Sequence, residues 1–93
     1  MAAISESDAR TRLGEVPGWD IGDKSLVRKL ALPSFPDAIA FVVKVAFVAE
    51  AADHHPDIAI NYRRVTLTLW THTESGITEK DFVLAKAINK LLG

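Results

Sequence analysis

The segment from residue 38 to residue 52 is the most apolar part of the chain, and it limits the folds that the sequence can adopt. Only Lys44 and Glu50 interrupt it. Wound as an α-helix at about 100° per residue, it carries apolar side chains over well more than half of its circumference. It is too short for a transmembrane helix, which needs roughly 20 apolar residues. We therefore expect its own domain to bury one side and a second subunit to bury the other.

Alternation of apolar and polar residues predicts four short strands around this helix. The predicted strands cover residues 19–21, 25–32, 58–62 and 64–72. A short helix after Ser5 precedes them, and a last helix begins at the capping box that Thr78 and Asp81 form. The predicted order is α-β-β-α-β-β-α, which is typical of an α+β fold. We expect a four-stranded antiparallel sheet with helices packed on one face.

Size and charge restrict the function classes. The 93 residues are enough for one core, so we predict a single domain over residues 1–93. A net charge of −1 gives no reason to expect nucleic acid or an anionic membrane as the partner. The sequence has no cysteine, which excludes disulfides and thiolate metal ligands. The N-terminal residues include acids and lack an apolar core, so we expect no secretory signal and a cytoplasmic location.

All three histidines lie at predicted ends of helices or strands. His54 and His55 close the central helix just before Pro56, and His72 ends the last strand. We predict that the helix ends at about His54, because a proline disfavours helical geometry in the residue before it. Imidazoles change charge near neutral pH, which suits them to proton transfer.

Two carboxylates accompany these imidazoles. Glu50 lies one helical turn before His54, and Asp81 opens the last helix. Each residue also has a structural explanation: His54 as a helix C-cap, Glu50 as its solvated partner, and Asp81 as the acid of the capping box. A zinc site is a second interpretation, but adjacent histidines rarely bind one ion and the spacing matches no common zinc motif. We predict a site for proton transfer without a metal.

The complete pattern resembles the pterin-4a-carbinolamine dehydratase family. The residues that carry the resemblance are Glu50, His54, His55, Pro56, Tyr62, Thr71, His72, Gly76, Ile77, Thr78 and Asp81. The Gly18-Trp19 pair, the hairpins and the apolar helix follow in the order of the family. The resemblance thus covers essentially the whole chain.

This resemblance implies an enzyme that removes water from 4a-hydroxytetrahydropterin to give quinonoid dihydropterin, in recycling of the tetrahydropterin cofactor. The implied acid–base residues are His54, His55 and His72, with Glu50 and Asp81 orienting them. The implied substrate-binding residues are His55, Pro56, Trp70 and Thr71. Trp70 is a local feature that either crowds the pocket or helps to shape it. The resemblance implies no metal and no organic cofactor.

The resemblance also implies a homodimer or homotetramer, formed through the helix at residues 37–53. Two alternatives stay open. Some family members are dimerisation or co-activator partners of transcription regulators through the same helix, and a pterin-binding module without catalysis is a further interpretation. The intact set of histidines argues against the second alternative. We expect no direct contact with nucleic acid and no contact with a membrane.

Overall fold

The computed structural model describes residues 2–93 and has the predicted α+β architecture. The elements are α1 (Glu6–Thr11), β1 (Asp20–Ile21), β2 (Leu26–Ala31), α2 (Phe35–Ala52), β3 (Asp57–Asn61), β4 (Arg64–Leu69) and α3 (Glu79–Leu91). Short 3-10 turns follow α1 at Leu13–Glu15 and β4 at His72–Glu74. The order of helices and strands confirms the prediction. The predicted domain, residues 1–93, begins one residue outside the described range and stays a prediction.

The sheet is antiparallel throughout and has the strand order β1-β2-β4-β3. Its central pair is β2 and β4, in which Leu26 lies opposite Leu69 and Leu30 lies opposite Val65. On β4 the residues Val65, Leu67 and Leu69 are fully buried, which confirms the predicted inward face. They join one core with α2 and α3, whose largest members there are Phe41, Val45, Phe82, Leu84 and Ile88. β3 is an edge strand and is exposed along its whole length.

α2 is apolar on two sides, as the sequence predicts. The inner side is buried in the core and consists of Ala38, Phe41, Val45 and Ala49. The opposite side carries Ile39, Val43 and Phe47, which we call the outer α2 stripe. These three side chains are exposed, Phe47 by 73%. Among residues 2–93, no helix is long and apolar enough to cross a membrane.

The predicted C-terminal ends of α2 and β4 are wrong, and the predicted bounds of β1, β2 and β3 each differ from the observed ones by one residue. α2 ends at Ala52 and not at about His54, because Asp53 adopts the left-handed conformation with φ 51°. A residue in this conformation terminates a helix. β4 ends at Leu69 and not at His72, because Thr71 pairs with Gly76 in an isolated bridge and His72 begins a 3-10 turn. All three histidines therefore lie in connections beyond the ends of α2 and β4.

An ion-pair network joins α1 to α3 at the surface. Arg12 donates hydrogen bonds to Glu15 and Glu79, and its guanidinium lies 4.3 Å from the ring centre of Phe82. Lys86 lies 3.1 Å from Glu15. The hydrogen bond from Arg12 and then the one from Lys86 lower the pKa of Glu15 from 4.5 to about 2. The Arg12 hydrogen bond also lowers the pKa of Glu79. The network thus links the end of α1 to α3 at the surface.

Candidate active site

A cavity of about 250 Å³ lies where the α2–β3 connection, the residues after β4 and the first turn of α3 meet. Its wall is formed by Asp53, His54, His55, Trp70, Thr71, His72, Thr73 and Lys80. All three histidines of the sequence thus share one cavity. Pockets for drug-sized ligands usually measure about 300–1,000 Å³. This cavity is slightly smaller, so it suits a ligand at the small end of that range.

Asp81 holds His54 from behind the cavity wall. Its side chain is fully buried, and its Oδ1 lies 2.5 Å from Nε2 of His54. Its Oδ2 accepts hydrogen bonds from the backbone N–H of Thr78 at 2.9 Å and from the hydroxyl of Thr71 at 3.0 Å. An ionised carboxylate has acceptors only, so with Asp81 ionised Nε2 of His54 is the donor. The second ring nitrogen, Nδ1, is then left for a ligand in the cavity.

The same carboxylate starts α3, as the capping-box prediction says. The Thr78 hydroxyl accepts a hydrogen bond from the backbone N–H of Lys80 in the first turn, at 3.2 Å, and the Asp81 carboxylate accepts one from the backbone N–H of Thr78. The hydroxyls of Thr71 and Thr78 lie 2.7 Å apart and are buried. Capping uses Oδ2 of Asp81, so the contact of Oδ1 with His54 goes beyond what a cap requires. The fold of α3 therefore fixes the orientation of one imidazole.

The predicted pairing of Glu50 with His54 is wrong. Glu50 Oε1 lies 2.9 Å from Nε2 of His55 instead. The reason is the left-handed Asp53, which turns the chain out of the helix before His54 and removes the i, i+4 relation. The side chains of His55 and Glu50 are 60% and 79% exposed, so water competes strongly with this pair. His55 is accordingly held less firmly than His54.

Trp70 and His72 form a stacked pair on the cavity wall. Their ring centroids are 3.8 Å apart and their planes differ by 26°. The indole Nε1–H donates to Oδ2 of Asp57 at 3.2 Å. Trp70 is half-buried, whereas His72 is exposed in its 3-10 turn. Of the two effects expected for Trp70, crowding the pocket or helping to shape it, the structure fits the second, because Trp70 forms one side of the cavity.

The structure brings most of the predicted site residues together. His54, His55, His72, Trp70 and Thr71 line the cavity, and Asp81 lies directly behind it. Glu50 reaches the site only through His55, and Pro56 is outside the lining. Their roles in binding and orientation stay predictions.

Sequence reasoning missed three lining residues, Asp53, Thr73 and Lys80. The position of Lys80 had a signal in the sequence. It lies two residues after the capping threonine, so the box places it in the first turn of α3. Asp53 and Thr73 had none, because each depends on a connection whose shape the pattern of apolar residues does not specify.

Within the described part of the chain, no three histidine, aspartate or glutamate side chains form a group that could hold a metal ion. The three imidazoles share the cavity but are directed differently: His54 to Asp81, His55 to Glu50, and His72 against an indole face. Chemically, this arrangement offers several proton-exchanging groups around one small ligand.

Proteins of known families are similar to this chain over its whole length. A sequence model of the family described as Pterin 4 alpha carbinolamine dehydratase matches residues 2–91. A protein of Chloroflexus aurantiacus, provisionally named a pterin-4-alpha-carbinolamine dehydratase, is 50% identical over 93 residues and is matched over 100% of both chains. A protein of Sulfolobus acidocaldarius with the same provisional name is 43% identical over 88 residues, 95% of this chain and 97% of that one.

Solved structures show the same fold. The crystal structure of a transcriptional coactivator/pterin dehydratase from Brucella melitensis superposes with a TM-score of 0.89 at 34% identity, over 98% of this chain and 99% of that chain. A pterin dehydratase-like protein identified as a RuBisCO assembly factor in the alpha-carboxysome has a TM-score of 0.66 at 24% identity, covering 81% and 87% of the two chains. This second likeness supports the fold alone. The chain belongs to the pterin 4 alpha carbinolamine dehydratase family.

Proposed function

We propose that this protein dehydrates 4a-hydroxytetrahydropterin to quinonoid dihydropterin, in recycling of the tetrahydropterin cofactor. The observation that carries the proposal is the cavity shared by three imidazoles, one of which a buried carboxylate orients. Membership of the family supports a pterin as the substrate. The cytoplasm, which we expect from the sequence, is the proposed location.

The reaction is a proton rearrangement that releases water. The 4a-hydroxyl gains a proton and leaves as water when its C–O bond breaks. The N5–H gives up its proton, and the N5 lone pair forms the new C=N bond. No electrons pass to or from another reagent, so we propose that neither a metal nor an organic cofactor takes part. The step needs one proton donor and one acceptor that both work near neutral pH, which imidazoles supply.

The geometry supports a division of roles among the histidines. His54 is our choice for the base, because donation of Nε2–H to Asp81 leaves the lone pair of Nδ1 for the N5 proton. The imidazolium that forms is then paired with the Asp81 carboxylate. His72, held against Trp70, is our choice for the group that protonates the hydroxyl. His55 and its partner Glu50 are exposed, which suits a binding role.

A pterin-binding module without catalysis has no need of the Asp81–His54 contact. Binding alone requires shape and hydrogen bonds, and burying a carboxylate is costly unless it is well bonded. Here one oxygen of the buried Asp81 carboxylate contacts His54, which lines the cavity. This observation favours the enzyme over the binding module.

We also propose that the outer α2 stripe mediates self-association, as a homodimer or a homotetramer. Ile39, Val43 and Phe47 lie on successive turns along one side of α2, and all three are exposed. Leaving them in water forfeits about 25 cal/mol per Å² of apolar surface. The alternative role, as a dimerisation or co-activator partner of a transcription regulator, uses this same surface. The likeness to the Brucella melitensis structure, which is described as a transcriptional coactivator/pterin dehydratase, supports that alternative.

The test is an absorbance assay of the dehydration of 4a-hydroxytetrahydropterin. The measured quantity is the rate that the protein adds to that of a protein-free control. We expect a rate that rises in proportion to protein concentration and that survives prolonged dialysis against EDTA. A rate equal to the background overturns the proposed function. Loss of the rate on dialysis, with recovery on adding zinc, establishes the zinc interpretation in place of metal-free catalysis.

A further inference from the structure

We propose that Asp57 is a positioning residue that fixes His72 through Trp70. Its carboxylate accepts the indole Nε1–H at 3.2 Å, and the indole stacks on the imidazole of His72 with centroids 3.8 Å apart. The contact chain is a feature of the structure alone. Its consequence for catalysis rests on the proposed function, in which His72 exchanges a proton with the substrate.

His72 needs a support that the other two histidines do not. His54 is bonded to Asp81 and His55 to Glu50. Among the hydrogen bonds of residues 2–93, none involves the His72 ring, and this residue is exposed in a short 3-10 turn. The stack on Trp70 is thus the contact that orients it. Orientation matters because a misplacement of about 1 Å in a reacting group can cost about 100-fold in rate.

The register of the sheet places Asp57 beside Trp70. Asp57 lies opposite Thr68 in the β3–β4 pair. Opposed residues of an antiparallel pair point to the same face, and so do residues two apart on one strand. The side chain of Trp70, two residues beyond Thr68, therefore leaves the sheet on the face that carries Asp57. The first residue of an exposed edge strand thereby reaches a residue of the site.

Trp70 also needs holding, because it separates two hollows. On one side lies the cavity with the histidines, and on the other lies a hollow formed with Asp23, Lys24, Ser25, Thr68 and Ser75. A half-buried indole between two open spaces can turn about its side-chain bonds towards either. The bond from Nε1–H to Asp57 selects the orientation that keeps the indole against His72.

Asp57 does not itself line the cavity. Its side chain is hydrogen-bonded to Trp70, so we expect its effect on the reaction to pass through Trp70 and to change turnover more than substrate binding. Two substitutions separate its charge from its hydrogen bond. Asp57→Asn keeps an oxygen that accepts the indole N–H, whereas Asp57→Ala removes it, and both lose the same charge.

Proton NMR of the histidine rings measures the positioning directly. The ring protons of a histidine stacked on an indole are shifted upfield by the ring current, and comparison with His72→Gln assigns them. We expect Trp70→Leu to abolish the shift, Asp57→Ala to reduce it, and Asp57→Asn to retain most of it. Asp23→Ala is the control, because it removes a carboxylate from the other side of the indole and should leave the shift unchanged.

Kinetics of the same variants measure the consequence. The interaction free energy of an aromatic pair corresponds to a rate ratio of up to about tenfold. We therefore expect Asp57→Ala to lower kcat about three- to tenfold with KM little changed. Asp57→Asn should retain most of kcat. Wild-type ring shifts in Asp57→Ala, equal defects in both Asp57 variants, or a wild-type kcat in Asp57→Ala each overturn the inference. If even the wild type fails to dehydrate the carbinolamine, the proposed function fails, and the ring shifts alone then decide whether Asp57 positions His72.

Discussion

Asp81 is the residue at which folding and chemistry meet. One of its oxygens completes the N-terminal cap of α3, and the other contacts His54. A buried carboxylate is stable only when its oxygens are well bonded, and here the backbone of Thr78, the hydroxyl of Thr71 and an imidazole supply the bonds. Stability and the proposed catalysis therefore depend on overlapping contacts, which a suitable pair of variants can separate.

Asp81→Ala and Thr78→Ala form such a pair. Each breaks the capping box, so we expect Thr78→Ala to lose about 0.5–2 kcal/mol of stability. Asp81→Ala should lose more, because it also removes the acceptor of the buried Thr71 hydroxyl and Thr78 N–H. Only Asp81→Ala also releases His54, so only this variant should lose about tenfold or more in kcat. Thermal unfolding and the dehydration assay measure the two effects. Equal values of kcat in the two variants contradict the orienting role of Asp81.

At the scale of helices and strands, the core-forming pattern could be predicted and the ends could not. The alternation of apolar and polar residues along β4 predicts its inward face, because every second side chain of a strand points to the same side of the sheet. The structure buries Val65, Leu67 and Leu69 on that side. The capping box likewise fixes the start of α3 from a short motif. The end of α2 depends on the left-handed conformation of Asp53, a single-residue choice that the apolar pattern does not contain.

The candidate site follows the same division. The sequence predicts that all three histidines serve one site, and the structure places them on one cavity. The sequence assigns Glu50 to His54 wrongly, because the partner of His54 depends on how the residues after α2 meet α3. The Trp70–Asp57 bond was missed for a related reason: it depends on the register of β3 against β4, which a one-residue slip would change.

The network between α1 and α3 predicts a pH dependence of stability. The folded-state pKa of Glu15, about 2, is below its ordinary value of 4.5, so the ionised group stabilises the fold above pH 4.5 and this contribution is lost as the pH falls towards 2. Glu15 is at the surface, so the effect is small. We expect Glu15→Gln to lower the Tm near neutral pH, and the difference from wild type to vanish at about pH 2.

Glu74→Gln is the control, because Glu74 is exposed and its side chain has no ion pair among the described residues. It should give the same Tm as the wild type at each pH. A Glu15→Gln difference that persists at the acid limit would show that its effect does not come from the ion pairs with Arg12 and Lys86.

For the molecule as a whole, the two sides of α2 predict how copies associate. Val43 belongs to the outer α2 stripe and is 48% exposed, whereas Val45 is fully buried. We expect Val43→Asp to stay folded and to shift towards the monomer in light scattering, because a charge in an apolar interface is costly. Val45→Asp should instead unfold the domain.

A matched control is available on α3, where Val83 is 59% exposed and lies outside the stripe. Val83→Asp should leave the association state unchanged. If the wild type is a stable monomer at micromolar concentration, the outer α2 stripe is not a self-association surface.

In the proposed mechanism, the histidines of one cavity catalyse the dehydration by moving protons. The most direct measurement compares kcat of His54→Ala and His72→Ala with kcat of the wild type, after circular dichroism has shown that both variants are folded. Because a positioned proton-transfer group contributes about 10²–10⁴-fold, we predict a loss of at least about tenfold in each variant. Full turnover by both folded variants would show that His54 and His72 do not catalyse the reaction.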